Sequence, residues 1–127
     1  MEYTVHVTSA AERDIQYTVD YIDYVLKNPA AAERLFNQIK VKLPSLSLMP
    51  YRCALADDPV LALQKIHYLI IGNYYAFYQI DEPTQTVHIL RFLYEKSDWK
   101  NILKSNDNKY DENLLSSNDV SILSDVK

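Results

Sequence analysis

The chain holds one glycine, Gly72, and one cysteine, Cys53, in 127 residues. A lone cysteine excludes an internal disulfide and a thiolate metal cluster, so Cys53 is expected to be a small half-buried filler. No stretch is apolar for the length of a membrane span, and no basic region leads into an apolar signal at the N-terminus, so a cytoplasmic location is expected. A basic excess is also missing. Residues 1–104 carry 11 Lys and Arg against 12 Asp and Glu, and residues 105–127 carry 2 against 5, for a net charge of −4. Proteins that live on phosphate backbones draw affinity from cations, so a broad nucleic-acid footprint is not expected. Phosphate-loop, dinucleotide, HExxH and Cys-x-x-Cys spacings are all absent.

What is present reads as one ordinary soluble domain, 48% apolar and 24% charged. Tyr3 to Val7 alternates like a half-buried strand. Ser9-Ala-Ala-Glu12 has capping-box spacing, and Ala11, Ile15, Val19, Ile22 and Leu26 then make an apolar helical stripe. Asn28-Pro29 opens a second helix, whose stripe is Ala32, Leu35, Phe36, Ile39, Leu43 and Leu46, with a kink or end at Pro44. A loop from Tyr51 to Pro59 leads to strands at Ile66–Ile71, Tyr74–Ile80 and Thr86–Tyr94. The first two are joined by Gly72-Asn73, where positive φ is most needed. Ser97 is placed as the cap of a last short helix reaching Leu103. The pattern is α+β: a β-α-α-β-β-β order with an αα-hairpin covering one face of a small antiparallel sheet, and a short C-terminal helix. Strand one can join at either edge of the meander. Residues 1–104 form the domain and 105–127 an acidic, polar tail read as flexible.

Few side chains suggest chemistry. His6 and His88 read as hydrogen-bonded structural residues on strands. Lys65 and His67 are placed on one strand face, with Arg91 opposite if sheet order follows chain order. A mid-sheet arginine needs a counter-charge, here Asp98 or Glu95, or an anionic ligand. The tyrosines are mainly good strand residues, with some suited to an interface.

Taken together, Ala11-Glu-Arg-Asp14, Asn28-Pro-Ala-Ala-Ala-Glu-Arg34, the hairpin Gly72-Asn-Tyr-Tyr-Ala-Phe-Tyr-Gln-Ile-Asp81, Thr86 to Tyr94 and Asp98-Trp99 resemble the RelE/ParE toxins over residues 3–103. The resemblance implies a toxin of a bacterial type II toxin–antitoxin pair that arrests growth when free and is neutralised by a cognate antitoxin. RelE-like members cleave ribosome-bound mRNA with lysines and arginines, and ParE-like members inhibit DNA gyrase.

By that likeness, Arg91 matches the last-strand arginine, and Lys96 keeps one basic position of the segment before Asp-Trp. His67-Tyr68 stands where relatives often carry Arg-Lys, and Tyr75 where cleaving members place an arginine. The catalytic candidates implied are His67 as proton carrier with Arg91, Lys65 and Lys96 as cations. Tyr75, Tyr94 and Trp99 are candidates for the target or antitoxin surface. With the basic set thinned, the expectation is gyrase binding. The alternatives are ribosome-dependent mRNA cleavage and a decayed toxin kept for antitoxin binding. No metal, cofactor or membrane is expected, and DNA is contacted only through the antitoxin.

Overall fold

In the computed structural model, which describes residues 2–105, β1 (Thr4–Val7) leads into α1 (Ser9–Asp20), whose last turn widens to a π-helical segment at Tyr21–Val25. α2 (Pro29–Lys42) returns beside it, and two 3₁₀ turns, Pro44–Ser47 and Pro50–Arg52, lead to a short helix α3 (Pro59–Leu63). β2 (His67–Ile71), β3 (Tyr74–Asp81), β4 (Thr86–Tyr94) and α4 (Trp99–Lys104) complete the order. The tail assigned to 105–127 lies, beyond Ser105, outside the described residues.

The helix starts follow local chemistry. Thr8, rather than Ser9, is the N-cap of α1: its hydroxyl accepts the Ala11 N–H at 3.2 Å. The same hydroxyl donates to the Ile89 carbonyl at 2.8 Å, so one residue caps a helix and ties it to β4. Asn28 caps α2 through the Ala31 N–H, with Pro29 at the first helical position. The π segment explains why Leu26 misses its expected stripe. The Leu26 N–H bonds Tyr21 O, five residues back, so the face rotates and Leu26 is exposed while Ile22 stays buried. Phe36 also sits at the rim, with Lys40 Nζ 4.9 Å from its ring centre.

The sheet order is β1-β4-β3-β2. The meander β2–β4 is antiparallel as expected, but β1 runs parallel to β4, which makes the sheet mixed. The choice of edge has a visible cause. A bridge at Leu55 pairs with His67, Ala56 N–H bonds Ile66 O, and Tyr68 N–H bonds Ala54 O, so the start of the β2 edge is already covered. The β4 edge is the one left for β1.

One face of the sheet packs on the αα-hairpin, where Leu35, Ile39, Leu43 and Leu46 meet Leu69, Ile71, Tyr78, Val87, Ile89 and Phe92. The opposite face is covered too, which the sequence reading did not anticipate. α3 and α4 close a second cluster of Leu61, Ile66, Phe77, Leu90 and Leu103, flanked by Tyr68, Tyr75, Leu93 and Trp99. Asp58 caps α3 by accepting from the Val60 and Leu61 N–H groups, and Lys104 on α4 bonds the same carboxylate at 2.8 Å.

Candidate functional site

Arg91 lies at a β-bulge. Phe77 on β3 pairs with Arg91, while the next residue, Tyr78, pairs with Ile89, so Leu90 is the extra residue on β4. A bulge breaks alternation and re-aims one side chain. Here Ile89 and Phe92 both reach the main core, Leu90 enters the second cluster, and Arg91 turns to α1. Its Nε and Nη2 donate to the Asp14 carboxylate at 2.7 and 2.9 Å, and the backbone N–H of Phe92 donates to the same group at 3.0 Å. The counter-charge is therefore Asp14, not the expected Asp98 or Glu95. A carboxylate holding a two-point arginine fork and a bulge amide is a structural clamp, and the pair is largely enclosed, at 19% and 15% side-chain exposure.

His67 opens β2 and is buried. Its Nδ1 is 2.9 Å from the Cys53 carbonyl, which can only accept, so Nδ1 carries the proton. The ring stacks on Tyr78 at 5.2 Å and meets Tyr51 edge-on at 6.0 Å. Tyr78 in turn donates to Pro50 O at 2.7 Å, and burial pushes its hydroxyl pKa up. Tyr51 donates to Glu82, whose hydrogen bond raises the Tyr51 pKa to about 12. The surroundings of His67 thus fasten the Pro50–Cys53 segment to the sheet.

The expected cations do not gather. Lys65 is exposed and precedes β2 in a left-handed conformation, φ 61°, so it does not share a strand face with His67. Lys96 is exposed in the turn after β4. Because β2 and β4 run the same way and Tyr94 lies level with Tyr74 and Ile71, Lys65 and Lys96 leave the sheet at opposite ends. The five residue steps from Ile89, level with His67, to Tyr94 alone span about 16 Å of strand.

The aromatic candidates divide as well. Tyr75 and Trp99 meet at 5.9 Å within the second cluster, where Trp99 also lies 5.1 Å from Phe77 and donates to Glu95 O. Tyr94 is on the other side, 5.8 Å from Tyr74. The Tyr74 pKa is raised by burial and then by the neighbouring Tyr94 and Tyr21 hydroxyls. Tyr21 stacks on Tyr17, so a run of tyrosines passes from the end of β4 onto α1, with Tyr17 70% and Tyr24 71% exposed. The sequence reading missed this run, although Tyr17, Tyr21 and Tyr24 at steps of four and three were its signal. Among the described residues no group of three or more His, Cys, Asp or Glu could hold a metal ion, and no helix is long and apolar enough to cross a membrane.

Comparison with known proteins gives the family. A family model for the ParE toxin of type II toxin–antitoxin system, parDE, matches residues 5–99. The fold is similar to that in the chromosomal ParDE system from P. aeruginosa, with TM-score 0.59, 18% identity, and coverage of 73% of this chain and 96% of that one. It is also similar to a structure of the toxin–antitoxin complex RelBE2 from Mycobacterium tuberculosis, with TM-score 0.50, 24% identity, and coverage of 74% and 99%. No curated protein matches.

Proposed function

The chain belongs to the ParE toxin family of type II toxin–antitoxin systems, and from that premise we propose that it arrests growth by binding a protein target, DNA gyrase, and is neutralised by a cognate antitoxin. The observation that carries this reading is the engagement of Arg91 by Asp14 while Lys65 and Lys96 sit at opposite ends of the sheet. Cleavage of RNA needs a proton carrier and cations converging on one phosphate, to hold the charge that develops there. Here the buried His67 ring serves the Cys53 carbonyl, and the sheet face between the lysines is filled by Tyr68, Tyr75, Phe77 and Trp99.

Protein contact has better support. The run from Tyr94 through Tyr21 and Tyr17 to Tyr24, with exposed Val25 and Leu26 beside it, has the aromatic composition that concentrates binding energy at interfaces. Purified gyrase supplies the test. The full chain is expected to inhibit supercoiling, addition of the antitoxin to restore it, and Tyr24→Ala with Tyr17→Ala to weaken inhibition at least tenfold while the fold is kept. Full supercoiling at a large excess of toxin contradicts the gyrase reading.

A further inference from the structure

We propose that the chain's own residues 106–127 dock on the sheet face opposite the αα-hairpin and occupy an apolar patch made by Tyr68, Ile70 and Tyr75. Alternation along β2 sends Leu69 and Ile71 into the main core and Ile66 and Tyr68 into the second cluster, so Ile70 shares the face of Tyr68. Tyr75 is the partner of Ile70 on β3, and the Tyr68 and Tyr75 ring centres lie 4.9 Å apart. Leu61 of α3 and Leu103 of α4 close this face around Ile66. Farther along β2, Ile70 stays 53% exposed, and Tyr68 and Tyr75 are only half-buried. An apolar patch with a charged rim is the usual form of a docking surface. Here the rim is basic: exposed Lys65 stands before β2, exposed Lys96 follows β4, and Lys100 Nζ lies 5.6 Å from the Trp99 ring centre. Of the acids on the flanking segments, Asp58 and Asp98 already hold Lys104 and Asn101.

Three observations favour the chain's own segment as the occupant. The family model ends at residue 99, and the ParDE and RelBE2 structures are spanned almost whole by about three quarters of this chain, so residues 106–127 lie past the shared domain. Their composition complements the patch: five Asp and Glu against two Lys, with apolar islands at Leu114-Leu115 and Val120 to Leu123. They also start in the right place. Lys104 bonds Asp58 at the head of α3 and Leu103 lies in the second cluster, so the chain passes Ser105 on this same face. The four steps from Ile66 to Ile70 cover about 13 Å, whereas nine residues from Ser105 to Leu114 reach about 30 Å when extended. Tethering sets an effective concentration of about 1 mM, so a small patch with weak intrinsic affinity is filled in cis before a free partner reaches it. The docked segment shields Tyr75 and Trp99 and leaves the Tyr17–Tyr24 side of the αα-hairpin open, so the docking is independent of the gyrase contact.

A nitroxide attached through Leu115→Cys, in a Cys53→Ala background of the full chain, tests the docking by NMR. The amide signals of Tyr68, Ile70 and Tyr75 are expected to lose more than half their intensity, while those of Tyr17 and Tyr24 keep theirs. The loss should persist when the labelled chain is diluted tenfold into unlabelled, isotope-free chain. Trp99, the only tryptophan, gives a second readout that leaves Cys53 untouched. Acrylamide should quench its fluorescence at least twofold more steeply in Leu114→Asp with Leu115→Asp than in the wild-type chain. Raising NaCl from 0.05 to 0.5 M should move the wild type toward that variant, because the rim contacts are ionic. Uniform signal intensities, or loss confined to the αα-hairpin, overturn the proposal. Loss that vanishes on dilution assigns the patch to a second copy and overturns it equally, as does Trp99 quenching that the tail substitutions leave unchanged.

Discussion

Asp14 does at residue scale what a longer hydrogen-bond ladder does elsewhere: it satisfies a bulge amide and neutralises an arginine in one carboxylate. Removing it leaves a largely enclosed guanidinium and the Phe92 N–H without that partner. Asp14→Ala should therefore lower unfolding stability by about 3 kcal/mol in urea titration, far more than an exposed pair. A loss under 0.5 kcal/mol would show that the clamp is incidental. Gly72 poses the opposite case. Its φ is +61°, yet a Cβ added there would meet only Gln38 Oε1 at 3.8 Å, so space is not the constraint. Gly72→Ala should cost about 1 kcal/mol, the left-handed penalty alone. The chain tolerates that conformation at Lys27, Lys65 and Gln85 as well, so having only one glycine did not mean having only one left-handed turn. That is why Lys65 read as a strand residue: nothing in its side chain announces positive φ.

At the scale of elements, α4 is held against α3 by Lys104 on Asp58 and by Leu103 in the second cluster. The Asp58 carboxyl pKa lies below the ordinary carboxylate range, first because Lys104 bonds it and then through the Leu61 and Val60 amides. A depressed folded-state pKa contributes stability above the unfolded value, near 3.9, which is lost as pH falls through the folded one. Lys104→Met should therefore melt below wild type at pH 7, with the difference closing below about pH 4. A gap unchanged to pH 2.5 would contradict the pairing. Much at this scale was legible beforehand: Asn28-Pro29 announced α2, and the strand runs announced the meander. Asp58-Pro59 carried the same start signal as Asn28-Pro29, but it stood at the end of a presumed loop and α3 was passed over. The parallel placement of β1 was not legible, because it depends on the Leu55 bridge already occupying the far edge. Ser97 was expected to cap α4, but its hydroxyl closes the preceding turn on Tyr94 O, and Asp98 takes the cap position with its carboxylate accepting from the Asn101 side-chain amide rather than from a helix N–H.

For the whole molecule, two cores on opposite faces of one sheet decide what the surface can offer. Filling the second face with Tyr68, Tyr75, Phe77, Leu90 and Trp99 removes it as a polar cradle, while the αα-hairpin carries its tyrosines outward. The family resemblance in the sequence pointed to the right fold. It named Arg91 but could not reveal its partner, since Asp14 lies 77 residues away in sequence and is joined to Arg91 only by the bulge and the packing of α1 on β4. The thinning of the basic set, visible at Glu95-Lys96-Ser97 and at Tyr75, is matched by side chains that pack rather than reach. The measurement that bears most directly on this account is incubation of the purified chain with mRNA on programmed ribosomes, with cleavage products mapped by primer extension. No toxin-dependent cuts are expected at any concentration that inhibits gyrase. Cuts that disappear in Arg91→Ala, when that variant remains folded, would contradict it.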